Sequence, residues 1–331
     1  DALLDYYRYQ AFDEPFWAML ERYMRNCASH FQDGILVPAF TPPTDGIKRP
    51  TQLLRVTRTG PDKYEFDWRL VARFIKLAQA CGLRYFEWNH LFTQWGCRHA
   101  IRIYAGDAGS EELLWPPETP CAGPVYRAFL GQFLPQLKAF CEEHGILGQS
   151  FFHVSDEPHL EHLANYQEAR GLLRELAPWM KITDALSNVE FALTGATDLP
   201  IPVISSVPQF QEHGVSSGAY FCCGPRGRYL NRLMDTPLAK IRMAGCLLYK
   251  LEARLFLHWG YNYWYKSQSR ELIDPYSVSD GLKWPGWAHG DTFCVYPGPQ
   301  GPVDSLRWEV FSEGLQDYAL LQSLQLSPKD P

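Results

Sequence analysis

The chain has 331 residues and a mass of 38.0 kDa, with 31 basic against 37 acidic side chains and a formal charge of −6. The charges are interspersed rather than blocked, which counts against a nucleic-acid-binding protein. Apolar residues make up 46% and charged ones 21%, so the chain can bury a core and is not disordered.

A first helix runs from about Asp13 to His30, with Pro15 in its first turn and Phe16, Leu20, Tyr23, Met24 and Cys27 on one stripe. Gly34 ends the connection and Ile35, Leu36 and Val37 open a strand. A second helix, Asp67 to Cys81, stops at Gly82 and leads into the strand Arg84 to Asn89. An irregular insertion rich in Pro and Trp follows, then a helix from Tyr126 to His144 and the strand Ser150 to Ser155, which ends on Asp156, Glu157 and Pro158. The second half repeats the rhythm: helix Leu160 to Trp179, strand Lys181 to Ala185, and β runs at Pro202 to Ser206 and Gly218 to Cys222. Asp235, Thr236 and Pro237 start a helix through Leu251; a strand from Arg254 to Trp259 and a last helix from Asp304 to Leu324 close the chain.

Strand-then-helix units joined by connections of this length imply parallel strands, in a doubly wound sheet or a closed barrel. One α/β barrel with insertions accommodates the whole length, so 1–331 reads as a single domain. With seven strand candidates, an eight-stranded barrel expects its first strand just before Asp1. No run approaches the ~20 apolar residues of a membrane span, and the start DALLDYYRYQ is not a signal peptide. Nine scattered cysteines match neither a disulfide framework nor a zinc site, which favours a reducing compartment. The chain begins with Asp1 rather than methionine, so a targeting segment can lie outside it.

Aromatic residues are in excess, 11 Trp, 18 Tyr and 19 Phe, and their flat faces suit sugar rings as well as they fill a large core. In parallel α/β barrels the reactive residues stand at the carboxyl ends of strands. There the chain presents Asn89, His90 and Trp95, then Asp156 and Glu157, then Asp184, then Cys223, and finally the uncharged aromatic run His258 to Trp264. That run reads as a sugar-stacking wall with Asn262 to orient hydroxyls, or as a plug in the barrel mouth.

Asp156 and Glu157 are the sharpest feature. Adjacent carboxylates crowd like charges and raise the pKa of one, as a general acid needs; the same residues before Leu160 also suit the first turn of a helix. An ordinary retaining glycosidase needs a second carboxylate ~5 Å away as nucleophile. Asp184 and Glu87 are possible partners, but a substrate carrying its own nucleophile fits better. His153, Asp156, Glu157, His159 and His162 look metal-like, but neither ligand spacing nor a second histidine cluster completes a site, so no metal is expected. Phosphate-cradling loops and serine elbows are missing, and Gly298 to Pro302 reads as a turn.

HVSDEP (His153 to Pro158), AYFCCGP (Ala219 to Pro225) with Tyr229, Leu230 and Asn231, FLHWGYNYW (Phe256 to Trp264), and GDTFCVYPG (Gly290 to Gly298) with Ser305, Leu306 and Arg307 occur in this order. NHLFTQWG (Asn89 to Gly96) and EGLQDY (Glu313 to Tyr318) accompany them. On these motifs the chain resembles, end to end, the catalytic domain of glycoside hydrolase family 123 and the wider bacterial group once filed as domain of unknown function 4091. The resemblance implies a (β/α)8 TIM barrel that releases terminal β-linked N-acetylgalactosamine with retention, the 2-acetamido group acting as internal nucleophile. It implies Glu157 as acid/base, Asp156 as the group holding the acetamido N–H and stabilising the oxazolinium ion, a carbohydrate as partner, and no cofactor. Asn89, His90, Trp95, His153, Asp184, Tyr220, Trp259, Tyr261, Asn262 and Trp264 are the expected pocket-lining residues. Two departures stand out: residues 1–331 do not include the upstream β-sandwich domain that family members usually carry, and Ser312 occupies a position where relatives often have arginine.

Overall fold

The computed structural model describes residues 1–41, 50–266, 269–279 and 286–328. In chain order its elements are α1 (Ala2–Tyr7), α2 (Glu14–Ser29), β1 (Gly34–Val37), β2 (Arg55–Gly60), β3 (Lys63–Asp67), α3 (Arg69–Cys81), β4 (Tyr85–His90), α4 (Pro124–Glu143) and β5 (Ser150–His153). Then come α5 (Leu163–Leu176), α6 (Glu190–Leu193), α7 (Val207–Glu212), β6 (Ala219–Tyr220), α8 (Leu238–Arg242), α9 (Ala244–Lys250), β7 (Phe256–Leu257), β8 (Val295–Gly298), β9 (Gly301–Asp304) and α10 (Leu306–Ser323). Short 3₁₀ turns occupy Leu147–Gln149 and Leu160–His162. The fold is mixed α/β, and the chain divides into two compact units: Asp33–Leu199, and Asp1–Gln32 together with the chain from Pro200 onward. Among the described residues no helix is long and apolar enough to cross a membrane.

In the Asp33–Leu199 unit, β1, β4 and β5 form a parallel sheet in that order, with Ile35 opposite Phe86 and Phe86 opposite Ser150. A parallel bridge from Phe152 to Ile182 adds a fourth row. The expected strand Lys181 to Ala185 is thus a single bridge. Its outer edge is taken by local bonds instead: Asp198 accepts from Ile182 N at 2.8 Å, and Ile182 O accepts from Asp198 N and Leu199 N. Helices α3 and α4 bury Val71, Phe74, Ile75 and Ala78, and Phe129, Phe133, Leu137 and Phe140. The hairpin of β2 and β3 lies outside the helix–strand rhythm and was not anticipated.

In the other unit, β6 and β7 pair in parallel, and Val203 bridges to Tyr220 on the far side of β6. The run Pro202 to Ser206 is also reduced to one bridge, since Pro202 has no N–H for a ladder. The turn read at Gly298 to Pro302 closes the antiparallel hairpin of β8 and β9. The single helix expected through Leu251 is two, α8 and α9, broken at Met243. The second packs against α10 at its glycine: a Cβ on Gly245 would overlap the Gly314 carbonyl and lie 2.8 Å from Tyr318 N. Backbone is the obstacle and it cannot rotate away. Gly245→Ala is therefore expected to lower stability by about 3 kcal/mol, read as a fall in denaturant midpoint at unchanged slope.

Candidate active site

The segment after β5 is fixed from both flanks. Leu91 N and Phe92 N donate to the carbonyls of His153 and Val154 at 3.2 and 3.0 Å, Trp95 N donates to Asp156 O at 3.2 Å, and Glu157 N donates to Ala185 O at 3.0 Å. Asp156 and Glu157 are both partly exposed at the carboxyl end of the sheet. Glu157 has φ +42°, a left-handed conformation uncommon outside glycine. The helix-start role that these residues could have had belongs to others: His162 Nδ1 accepts from His159 N at 3.1 Å, and the His159 side chain accepts from the His162 backbone. Those two histidines, grouped with the carboxylates as metal-like in the sequence, therefore cap the turn that precedes α5.

Asp156 accepts from Gln94 Nε2 at 2.8 Å, and its carboxyl is pushed up to about 6. Burial is the first cause; Asp184 and Glu87 add to it, and His153 opposes. This corrects the expectation that the Asp–Glu adjacency would lead.

Behind this pair lies a group the sequence does not display. His153 donates from Nδ1 to Asp184 Oδ1 at 2.9 Å, and its Nε2 lies 2.8 Å from Glu87 Oε1, off the line of a good hydrogen bond. Asp184 also accepts from Val154 N at 3.1 Å and from the Tyr166 hydroxyl. Burial works against a charge on His153, but Asp184 and Glu87 overcome it and raise the imidazole to about 10. His90, its ring 4.5 Å from that of His153, goes the other way, to about 4, through burial and the neighbouring positive charge. Glu87 is held down by His153 although burial pushes it up.

Donor atoms of His90, His153 and Asp184 lie within 4.8 Å of one another, as in a metal-ligand set. Here the His153 Nδ1 and both Asp184 oxygens are already partnered from within the protein, so the group is an ion pair of His153 and Asp184 with a neutral His90 beside it. A second such group, the buried His30 with Asp304 and Glu309 at 3.8 and 3.4 Å, lies in the other unit. The side chains of His153 and Asp184, at 1% and 0% exposure, cannot line a pocket as the sequence reading had them do. Asn89 is buried as well; its Oδ1 accepts from Phe40 N at 2.9 Å while Nδ2 has no partner among the described residues. His90 and Trp95 keep exposed surface.

In the unit containing β7, the aromatic run divides. Trp259 is 47% exposed, and its indole donates to Asp291 Oδ2 at 3.2 Å. Tyr261 points inward and donates to Asn26 Oδ1 at 2.7 Å; Trp264 is 0% exposed and donates to Val295 O at 3.1 Å. Trp264 is a packing residue, which corrects its placing in a sugar-binding wall, whereas Tyr261 keeps partly exposed surface. Asn262 is partly exposed and bridges to Phe293, and Tyr220 is nearly buried on β6.

Asp291 is the residue that sequence reasoning missed. It is buried, and burial raises it to about 6 against the Trp259 hydrogen bond. His258 stays neutral, depressed by burial and by Arg232 and Arg307; its Nδ1 accepts from Gly260 N at 3.0 Å and its Nε2 lies 3.6 Å from Asp291 Oδ1. Arg307 pins the neighbouring loop by donating to the carbonyls of Arg232, Gly290 and Phe293 at 2.6, 3.0 and 2.8 Å. Gly290, at φ +81°, leaves that guanidinium its space, since a Cβ would come within 2.8 Å of it. The available signal was a lone acid in the apolar run GDTFCVYPG. None of the nine cysteines is in a disulfide.

Comparison with solved structures puts the fold among glycoside hydrolases. The chain aligns with a family 123 glycoside hydrolase from Clostridium perfringens, studied for glycolipid glycan hydrolysis, at TM-score 0.72 and 16% identity over 98% of this chain. Residues 1–324 match the family described as glycoside hydrolase 123, catalytic domain, and the chain belongs to that family. It spans 58% of the Clostridium protein's length. A family 5 mannosidase from Rhizomucor miehei aligns more loosely, at TM-score 0.44 and 10% identity over 95% of this chain and 90% of that one. So does a maltogenic α-amylase from Thermotoga neapolitana, at 0.46 and 11% over 94% and 74%. No curated protein matches the chain.

Proposed function

We propose that the chain is a retaining β-N-acetylhexosaminidase of the N-acetylgalactosaminidase type, built on a (β/α)8 barrel and assisted by the 2-acetamido group of its substrate. One observation carries the choice of mechanism. The two carboxylates that could have served as enzyme nucleophile, Glu87 and Asp184, are both committed to His153, and Asp184 has no exposed side-chain surface. That leaves the acetamido oxygen of the sugar.

In the first step this oxygen attacks C1 while Glu157 gives its proton to the glycosidic oxygen; the C1–O bond breaks, the alcohol leaves and an oxazolinium ion forms. Asp156, ionised, accepts a hydrogen bond from the acetamido N–H and balances the cation, a charge-assisted contact contributing about 1.5–3 kcal/mol. In the second step Glu157 takes a proton from water, which attacks C1 and reopens the ring. Two inversions give net retention. Asp156 carries its proton below about pH 6, so kcat/KM is expected to rise through that pH.

Hydrolysis of matched aryl β-glycosides of N-acetylgalactosamine, N-acetylglucosamine and galactose tests this reading. Turnover confined to the acetamido sugars is the expected result, with N-acetylgalactosamine preferred. Comparable turnover of the galactoside would sink the substrate-assisted mechanism, and capture of a covalent fluoro-sugar adduct on a carboxylate would replace it with the two-carboxylate one.

A further inference from the structure

We propose that His153 is a positioning residue of the reaction, a buried imidazolium clamped between Glu87 and Asp184 whose positive charge holds the neighbouring Asp156 in its anionic form. The inference rests on the reading of Asp156 as the anion that faces the oxazolinium ion.

The geometry makes His153 the cation of a crowded acidic site. Glu87 comes from β4, Asp184 from the chain after the Ile182 bridge, and Asp156 follows His153 by three residues. These are three carboxylates in one neighbourhood, with Glu157 next to Asp156, and among the described residues the groups facing them from the other packed elements add no second cation: Tyr166 on α5 and Val154 N donate to Asp184, Gln94 donates to Asp156, and His90 on β4 is neutral. Electrostatic interaction with Asp156 runs in opposite senses, His153 favouring its ionised form and Asp184 and Glu87 opposing it. Burial already disfavours the Asp156 anion. Remove the imidazolium and Asp156 keeps its proton at neutral pH, where it cannot balance an oxazolinium ion. The Asp184 hydrogen bond fixes the ring at Nδ1 and Glu87 lies 2.8 Å from Nε2, so the charge is placed before substrate arrives.

The test uses two substitutions with opposite predicted signs. In His153→Gln the cation is lost and two carboxylates remain, so the acidic limb of kcat/KM for the aryl β-N-acetylgalactosaminide should move up by about one pH unit or more. In Glu87→Gln the cation keeps Asp184 and one repulsive carboxylate is gone, so the limb should move down. A merely structural role would lower the whole profile and leave the limb where it was, and that result in both variants would overturn the proposal. Histidine ¹⁵N spectra of the unliganded protein give a readout independent of turnover: one imidazole should stay doubly protonated through pH 9 and vanish in His153→Gln. If every histidine titrates below pH 7, the proposal is wrong even with active enzyme. If wild type turns over no acetamido glycoside while that imidazolium persists, the functional reading fails and the buried cation stands.

Discussion

Glu157→Gln is expected to reduce turnover of an unactivated β-N-acetylgalactosaminide by about 10³-fold, within the range by which positioned acid–base groups accelerate reactions. Glutamine keeps the shape of the side chain and leaves the Glu157 N–H bond to Ala185 intact, so circular dichroism and melting temperature should match wild type. What it lacks is a proton to give. The deficit should therefore shrink as the leaving group becomes more acidic, because a dinitrophenolate departs without protonation. A loss that stays the same across a leaving-group series would mean that Glu157 shapes the site and does not protonate the departing oxygen.

Asp156→Asn should cost about 10²- to 10³-fold on acetamido substrates, the scale on which removal of one transition-state stabilising contact is felt. Asparagine can still accept from Gln94 and from an acetamido N–H, but it carries no charge to balance the oxazolinium ion. The variant separates function from folding through the sign of its stability effect. Since folding raises Asp156 from its ordinary value to about 6, the protonated form is the one the fold prefers; stability falls as pH rises from about 4 to 6 and stays lower above. A neutral amide escapes that penalty. At pH 7.5 the asparagine variant is expected to melt at or above wild type while turning over poorly, and a clear loss of thermal stability would place Asp156 among the structural carboxylates instead.

The strand-and-helix alternation was legible where a parallel strand leads on to a helix with a readable apolar stripe, as β4 does to α4 and β5 to α5. What shortened the strands was not: the edge of the Ile182 row is taken up by the Asp198 side chain, a contact across 16 residues that no periodicity displays. The β2–β3 hairpin did have a local signal, Gly60, Pro61 and Asp62 between β-rich runs, but it sits in an αβ rhythm that favours reading connections as loops. In the site, Asp156 and Glu157 announce themselves by adjacency at the end of SFFHVS. The Glu87, His153 and Asp184 group does not, because sheet register alone sets His90 opposite His153 and brings β4 beside β5. The aromatic run after β7 shows the converse failure. Composition marks it as rich in rings, yet only hydrogen-bond partners such as Asn26 and Val295 reveal which rings turn inward.

The left-handed backbone at Glu157 separates what the fold would choose from what the chemistry requires. A side chain on such a residue costs on the order of 1–2 kcal/mol relative to glycine's freedom there. The return is directional. With its N–H tied to Ala185 O and its φ at +42°, the carboxyl is launched from a stem that ordinary strand or helix geometry would point elsewhere. In the acid/base role proposed for Glu157, the loss of freedom needed to aim the carboxyl at a glycosidic oxygen is thus incurred once, when the chain folds, and is not repeated with every sugar that arrives.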